Sequence, residues 1–256
     1  MFHPLQWLGR TLARFLSKPR TVEMHFGTSS FPLLRASLRK GDVLLVEGSS
    51  RFSTAIKYLT QSSWSHAALY VGDALSGQSP ELGLHVLVEA DVIEGVRAIS
   101  LGTYRGLHTR ICRPVGLDPG ELDRVVGHAL HRLGQRYDMR NVIDLLRYLL
   151  PTPPMPGRWR RRMLALGSGE PTQAICSSLI AAAFHSVRYP ILPVVDRDYR
   201  HLRGTRAARR EILHIRDSKL FTPRDFDISP YFRIVKPMLE HGFDPHRIRW
   251  TSSTAA

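Results

Sequence analysis

Cysteine is scarce in this 256-residue chain: Cys112 and Cys176 are the only two. That rules out a disulfide framework, and their contexts, a strand and a helix start, give a single bridge no support. Neither has a partner at CxxC spacing and no HExxH occurs, so no zinc site and no cofactor is expected. No apolar run approaches the roughly 20 residues of a membrane-spanning helix. The first twenty residues also lack the apolar core and small-residue cleavage site of a secretory signal. These absences predict an intracellular protein, cytoplasmic or peripheral on the inner face of a membrane. There is no internal repeat and no recognisable nucleic-acid-binding motif, so nucleic acid is not an expected partner.

Positive charge is plentiful. The net charge of +14 comes mostly from arginine and favours anionic surfaces. Residues 1–20 have the pattern of a basic amphipathic helix. Phe2, Leu5, Leu8, Leu12, Phe15 and Leu16 recur at spacings of three and four, with Arg10, Arg14, Lys18 and Arg20 between them. An anionic membrane surface is one partner this segment suits; the protein's own surface is the other.

With 43% hydrophobic residues, the chain can bury one substantial core. The expected organisation is a basic N-terminal extension over 1–36, one domain over 37–236 and a C-terminal tail over 237–256. Within the domain, strands are expected at 43–46, 65–72, 84–90, 96–101, 109–115 and 212–215, with a last apolar segment at 232–235. A short helix is expected over 51–61. Asp118, Pro119 and Glu121 supply a capping box and a first-turn proline for a helix ending at Gly134. A second helix over 139–150 stops at Pro151. Residues 151–172 are rich in proline, glycine and arginine and read as a loop insertion; another helix opens at Cys176.

Alternation along strands carries the first chemical inference. If His66 faces Glu89 in an antiparallel pair, Ala68 faces Leu87 and Tyr70 faces His85 on the same side. Ala67, Leu69, Val71, Val88, Val86 and Leu84 then form a wholly apolar opposite face. A slip of two residues would keep both faces and make the His66–Glu89 contact diagonal. A carboxylate beside His66 fixes its tautomer and favours its protonated form. Asp91 and Glu94 are rivals for that role. Cys176, in the first turn of a helix, gains thiolate character from unpaired backbone N–H groups, which also suit an oxyanion. Tyr137 and Ser177 are candidate oxyanion or substrate contacts. Cys112, in Thr109-Arg110-Ile111-Cys112, reads as an ordinary strand residue.

In order along the chain come Lys40-Gly41-Asp42-Val43-Leu44-Leu45, Trp64-Ser65-His66-Ala67-Ala68-Leu69-Tyr70-Val71-Gly72 and Leu87-Val88-Glu89-Ala90 with Gly95-Val96. Leu133-Gly134-Gln135-Arg136-Tyr137-Asp138 and Ile175-Cys176-Ser177-Ser178-Leu179-Ile180 follow. This series, over roughly residues 38–187, resembles the circularly permuted papain-like hydrolases of the NlpC superfamily, YiiX-like branch. The resemblance implies an α+β fold, a small antiparallel sheet packed against helices with the cysteine at a helix N-terminus. It also implies Cys176 as nucleophile, His66 as base and Glu89 as third polar residue of a thiol hydrolase. Its substrate would be a peptide or a lipid acyl compound. The alternative class is a non-catalytic membrane-binding or lipid-binding module on the same fold.

Overall fold

The computed structural model describes residues 30–77, 81, 83–91, 94–135, 175–197, 211–214 and 216–247. The basic segment 1–20, Tyr137, the helix expected over 139–150 and the insertion 151–172 lie outside them. Among the described residues, no helix is long and apolar enough to cross a membrane.

The fold is α+β. Helix α1 (Phe31–Ser37) leads to β1 (Val43–Val46), α2 (Arg51–Thr60), β2 (His66–Gly72), β3 (Val86–Asp91), β4 (Gly95–Ser100) and β5 (Thr109–Pro114). Then come α3 (Pro119–Leu130), α4 (Ile175–His185), β6 (Val194–Arg197), β7 (Glu211–His214), α5 (Pro223–Ile228), β8 (Phe232–Val235) and α6 (Pro237–Glu240). Six strands form one antiparallel sheet in the order β4-β3-β2-β1-β5-β8, while β6 and β7 pair separately.

The period-two pattern sorts the sheet into two buried faces. Val43, Leu45, Ala67, Leu69, Val86 and Val88 point to one side, where α3, α4 and α5 cover them with Val125, Ala129, Ile180, Phe184 and Phe226. Leu44, Val46, Ala68, Tyr70, Leu87 and Ile111 point to the other, under Leu34 and Leu38 at α1 and Leu101 and Tyr104 of the following 3-10 turn. Burying each large apolar side chain contributes about 1.5–3 kcal/mol. Leu34 therefore anchors α1 to the sheet, although α1 falls within the segment read from sequence as an extension. At the other terminus, Pro237 of α6 is buried and His241 Nε2 lies 3.1 Å from Ser37 Oγ.

Local signals explain the element boundaries. Asp118 caps α3 through the expected capping box with Glu121, and Pro119 occupies its first turn. The helix ends at Leu130 rather than running on. Gly134 donates its backbone N–H to Val96 O (2.8 Å), and Val96 donates to Gln135 O (2.9 Å), so this stretch docks beside β4 instead of remaining helical. The Gly41-Asp42 pair has a structural task. Gly41 has φ +87°, and a Cβ there would sit 2.5 Å from Leu122 Cδ2. Asp42 is fully buried and accepts from Arg113 Nε (2.8 Å) and Nη2 (2.7 Å), tying the start of β1 to β5.

Two expectations are corrected. Leu84 lies before β3, exposed, rather than on the apolar face. The β2–β3 register is Leu69 opposite Val88 and Tyr70 opposite Leu87, followed by a bulge that brings Gly72 opposite Val86. Continued toward His66, that register sets Glu89 opposite Ala68, two residues from the directly facing arrangement. The faces survive because the displacement is an even number of residues.

Candidate active site

β2, β3 and α4 bring His66, Glu89 and Cys176 together. His66 opens β2, and the residues before it are held firmly. Trp64 donates its indole N–H to Asp227 Oδ2 (3.0 Å), and Ser65 Oγ accepts from the Gly48 backbone (2.8 Å). The diagonal register still brings His66 Nε2 to 2.6 Å from Glu89 Oε2. With Nε2 committed to the carboxylate, Nδ1 is the nitrogen left for Cys176, whose charge acts on the imidazole.

Cys176 is the second residue of α4, in the turn whose backbone N–H groups have no intrahelical partner. The β2–β3 pairing stops at Leu69–Val88, which leaves the Ala67 backbone N–H on the Cys176 side to favour its thiolate. Ser177 Oγ, fully buried, is 3.9 Å from the same sulfur.

The electrostatics follow from these contacts. Burial disfavours the Cys176 thiolate, but the His66 imidazolium, the Ala67 N–H and Ser177 together hold the thiol below its ordinary value. Burial likewise opposes charge on His66, yet the adjoining thiolate and then Glu89 push its pKa up to about 10. Burial would raise Glu89, and His66, Tyr104 and Arg97 overcome it to hold the carboxyl down at about 2. Each shift acts in the direction of a thiolate, an imidazolium and a carboxylate in series. Cys112, buried and without such neighbours, has its thiol pushed far up by desolvation.

Two residues that the sequence reading did not identify complete the carboxylate's surroundings. Arg97 on β4 lies opposite Glu89 and reaches Oε1 with Nε (2.9 Å) and Nη2 (2.8 Å). The buried Tyr104 donates its phenol to Oε2; burial and the adjacent carboxylate raise its pKa well above the usual value. A signal for Arg97 existed: a tight β3–β4 turn implies a cross-strand Glu–Arg pair. Tyr104 sits in the 3-10 turn after β4, where no strand periodicity points at Glu89.

Arg97 also sorts the rival carboxylates. Glu94 pairs with its Nη1 at 2.6 Å, and Asp91 lies 3.7 Å from its Nη2. Glu89 is the carboxylate on His66, while Asp91 and Glu94 flank the arginine that holds it.

An antiparallel α+β domain with a cysteine–histidine–carboxylate series at one end of its sheet is thus the class that fold and site define. No protein-family model matches the chain, and no curated protein sequence does. Among solved structures it is similar to the metalloprotein YiiX from Escherichia coli O157:H7, with a TM-score of 0.45 and 14% identity over 77% of this chain and 96% of that one. A likeness of that depth assigns neither an activity nor a ligand.

Proposed function

We propose that the protein is a thiol hydrolase that cleaves an amide or ester through a cysteine acyl-enzyme on a permuted papain-like fold. The grouping of Cys176, His66 and Glu89 carries this reading: His66 is hydrogen-bonded to the carboxylate and electrostatically coupled to the sulfur. The histidine strand also precedes the cysteine helix in the chain, the order a permuted papain arrangement requires.

The chemistry proceeds from the ion pair. The Cys176 thiolate attacks the substrate carbonyl carbon, forming a C–S bond and an oxyanion. Backbone N–H groups at the start of α4 hold that oxyanion, with Ser177 Oγ beside the sulfur. Collapse expels the amine or alcohol, which takes the Nδ1 proton of His66. The neutral imidazole then deprotonates water for attack on the thioester; the C–S bond breaks, and the acid and the thiolate leave. Glu89 stabilises the imidazolium at both ends of the cycle and fixes its orientation.

YiiX is described as a metalloprotein, but the residues of this site do not fit a resident ion. Among the described residues, no three His, Cys, Asp or Glu side chains are placed to share one. Both Glu89 oxygens are already engaged by Arg97, Tyr104 and His66, so no step is routed through a metal.

The test uses p-nitrophenyl acetate as an acyl donor and iodoacetamide as a thiol probe. The expected result is a nitrophenol burst with one acetyl adduct on Cys176, and alkylation of Cys176 but not Cys112 near neutral pH. Unchanged turnover in Cys176→Ala would overturn the mechanism.

A further inference from the structure

A second concave site lies at the same sheet end as His66. Val46 pairs with His66 on one side and with Thr109 on the other. With strands about 4.8 Å apart, this site begins about 10 Å from His66. It is a groove of about 400 Å³ between the start of β5, the end of β8 and α6.

Its lining has two chemical halves. Arg110, Lys236 and His108, whose Nδ1 is held by Glu47 at 3.0 Å, supply cationic or proton-donating heads, and no carboxylate is among the described residues that line it. Met238, Leu239 and Phe243 supply an apolar wall. Among the described residues these are three of seven exposed large hydrophobic side chains, concentrated in six consecutive residues. Arg110 is well fixed: it stacks over Trp64 at 4.9 Å and binds both Asp227 oxygens through Nη1, at 2.7 and 2.9 Å. Five N–H donors make up a guanidinium, so Nε and Nη2 remain for a ligand. Lys236 stands exposed at the rim.

We infer that this groove binds a single amphiphilic anion, a carboxylate or phosphate head on an apolar chain. The cationic half meets the head, and Met238, Leu239 and Phe243 cover the chain. A volume of about 400 Å³ falls at the small end of ligand pockets and suits one small molecule rather than a protein segment. The inference does not depend on Cys176 acting as a nucleophile.

The test measures binding of dansyl-labelled undecanoic acid to the full chain by fluorescence, a readout that needs no turnover. Saturable enhancement is expected, with the corresponding alcohol bound more weakly. Lys236→Glu should weaken the acid about tenfold or more by replacing attraction with repulsion, while circular dichroism stays that of the wild type. Phe243→Ser should weaken acid and alcohol alike. Absence of saturable binding, equal affinity for acid and alcohol, or an unaffected Lys236→Glu variant would each overturn the assignment. So would phosphatidylglycerol vesicles that displace the probe and depend on Lys236, because they would make the surface a bilayer contact.

Discussion

Two imidazole–carboxylate pairs flank β1 at the same end of the sheet. His66 meets Glu89 at 2.6 Å on one side, and His108 meets Glu47 at 3.0 Å on the other. Residue types and spacing are nearly alike, yet their surroundings differ. Glu89 is 3% exposed and has Arg97 and Tyr104 as further donors, whereas Glu47 is 19% exposed and is shared with Lys57 at 3.0 Å. His66 has a thiol on its free side; His108 has the ring of Trp64, 4.9 Å away. The difference teaches that a histidine and a carboxylate in contact do not by themselves make a reactive centre. A third titrating partner, Cys176, together with Glu89 drives the His66 pKa up against the opposing effect of desolvation.

The strongest way to break the comparison is to remove each carboxylate in turn. Glu89→Gln strips a buried charge from two cations and should cost about 3 kcal/mol in urea unfolding, the lower end for a broken buried pair because Arg97 is partly exposed. Glu47→Gln should cost at most about 1 kcal/mol. The pH dependence of stability carries the same contrast. Glu89 is depressed from 4.5 to about 2, so its stabilisation is present above 4.5 and lost as pH falls through 2. His66 is raised from 6.5 to about 10, so its contribution is complete below 6.5 and lost as pH rises through 10. Glu89→Gln should abolish the acid limb, which Glu47→Gln should leave largely in place.

A second and smaller effect concerns thiol reactivity. A free cysteine is only a few per cent thiolate near neutral pH. His66→Ala removes the imidazolium and leaves a buried thiol, so iodoacetamide alkylation of Cys176 should slow by about tenfold or more there. Its midpoint should move toward higher pH. Glu47→Gln should leave the alkylation profile where it is. Equal profiles for wild type and His66→Ala would mean that the two histidines are equivalent after all.

Much of this contrast was legible in the sequence. Alternation from His66 to Val71 and from Val86 to Glu89 separated the two faces correctly, because a period of two survives any even displacement. The helix start at Cys176 and the cap at Asp118 were equally plain. The register was not, since the bulge between Tyr70 and Gly72 adds a residue to one strand only. The second histidine pair was also invisible: Glu47 and His108 are 61 residues apart and join only because β1 and β5 are neighbours. Tyr104 was hidden for a related reason, reaching Glu89 from a turn that local periodicity does not describe.

Tyr104 also permits the finest test of what separates the two pairs. Its phenol donates to the oxygen of Glu89 that also meets His66, whereas among the described residues Glu47 is bonded by Lys57 and His108. Tyr104→Phe keeps the ring packed under the sheet and deletes one hydrogen bond to a charged group, an interaction of about 1.5–3 kcal/mol. Arg97 and His66 still satisfy the carboxylate, so the loss in urea unfolding should fall near about 1.5 kcal/mol. Glu89 should then protonate at higher pH, shifting the acid limb upward without removing it. The alkylation profile of Cys176 should move little, since the imidazolium retains its carboxylate. A Tyr104→Phe variant that slows alkylation as much as His66→Ala does would transfer the controlling role from the histidine to the phenol.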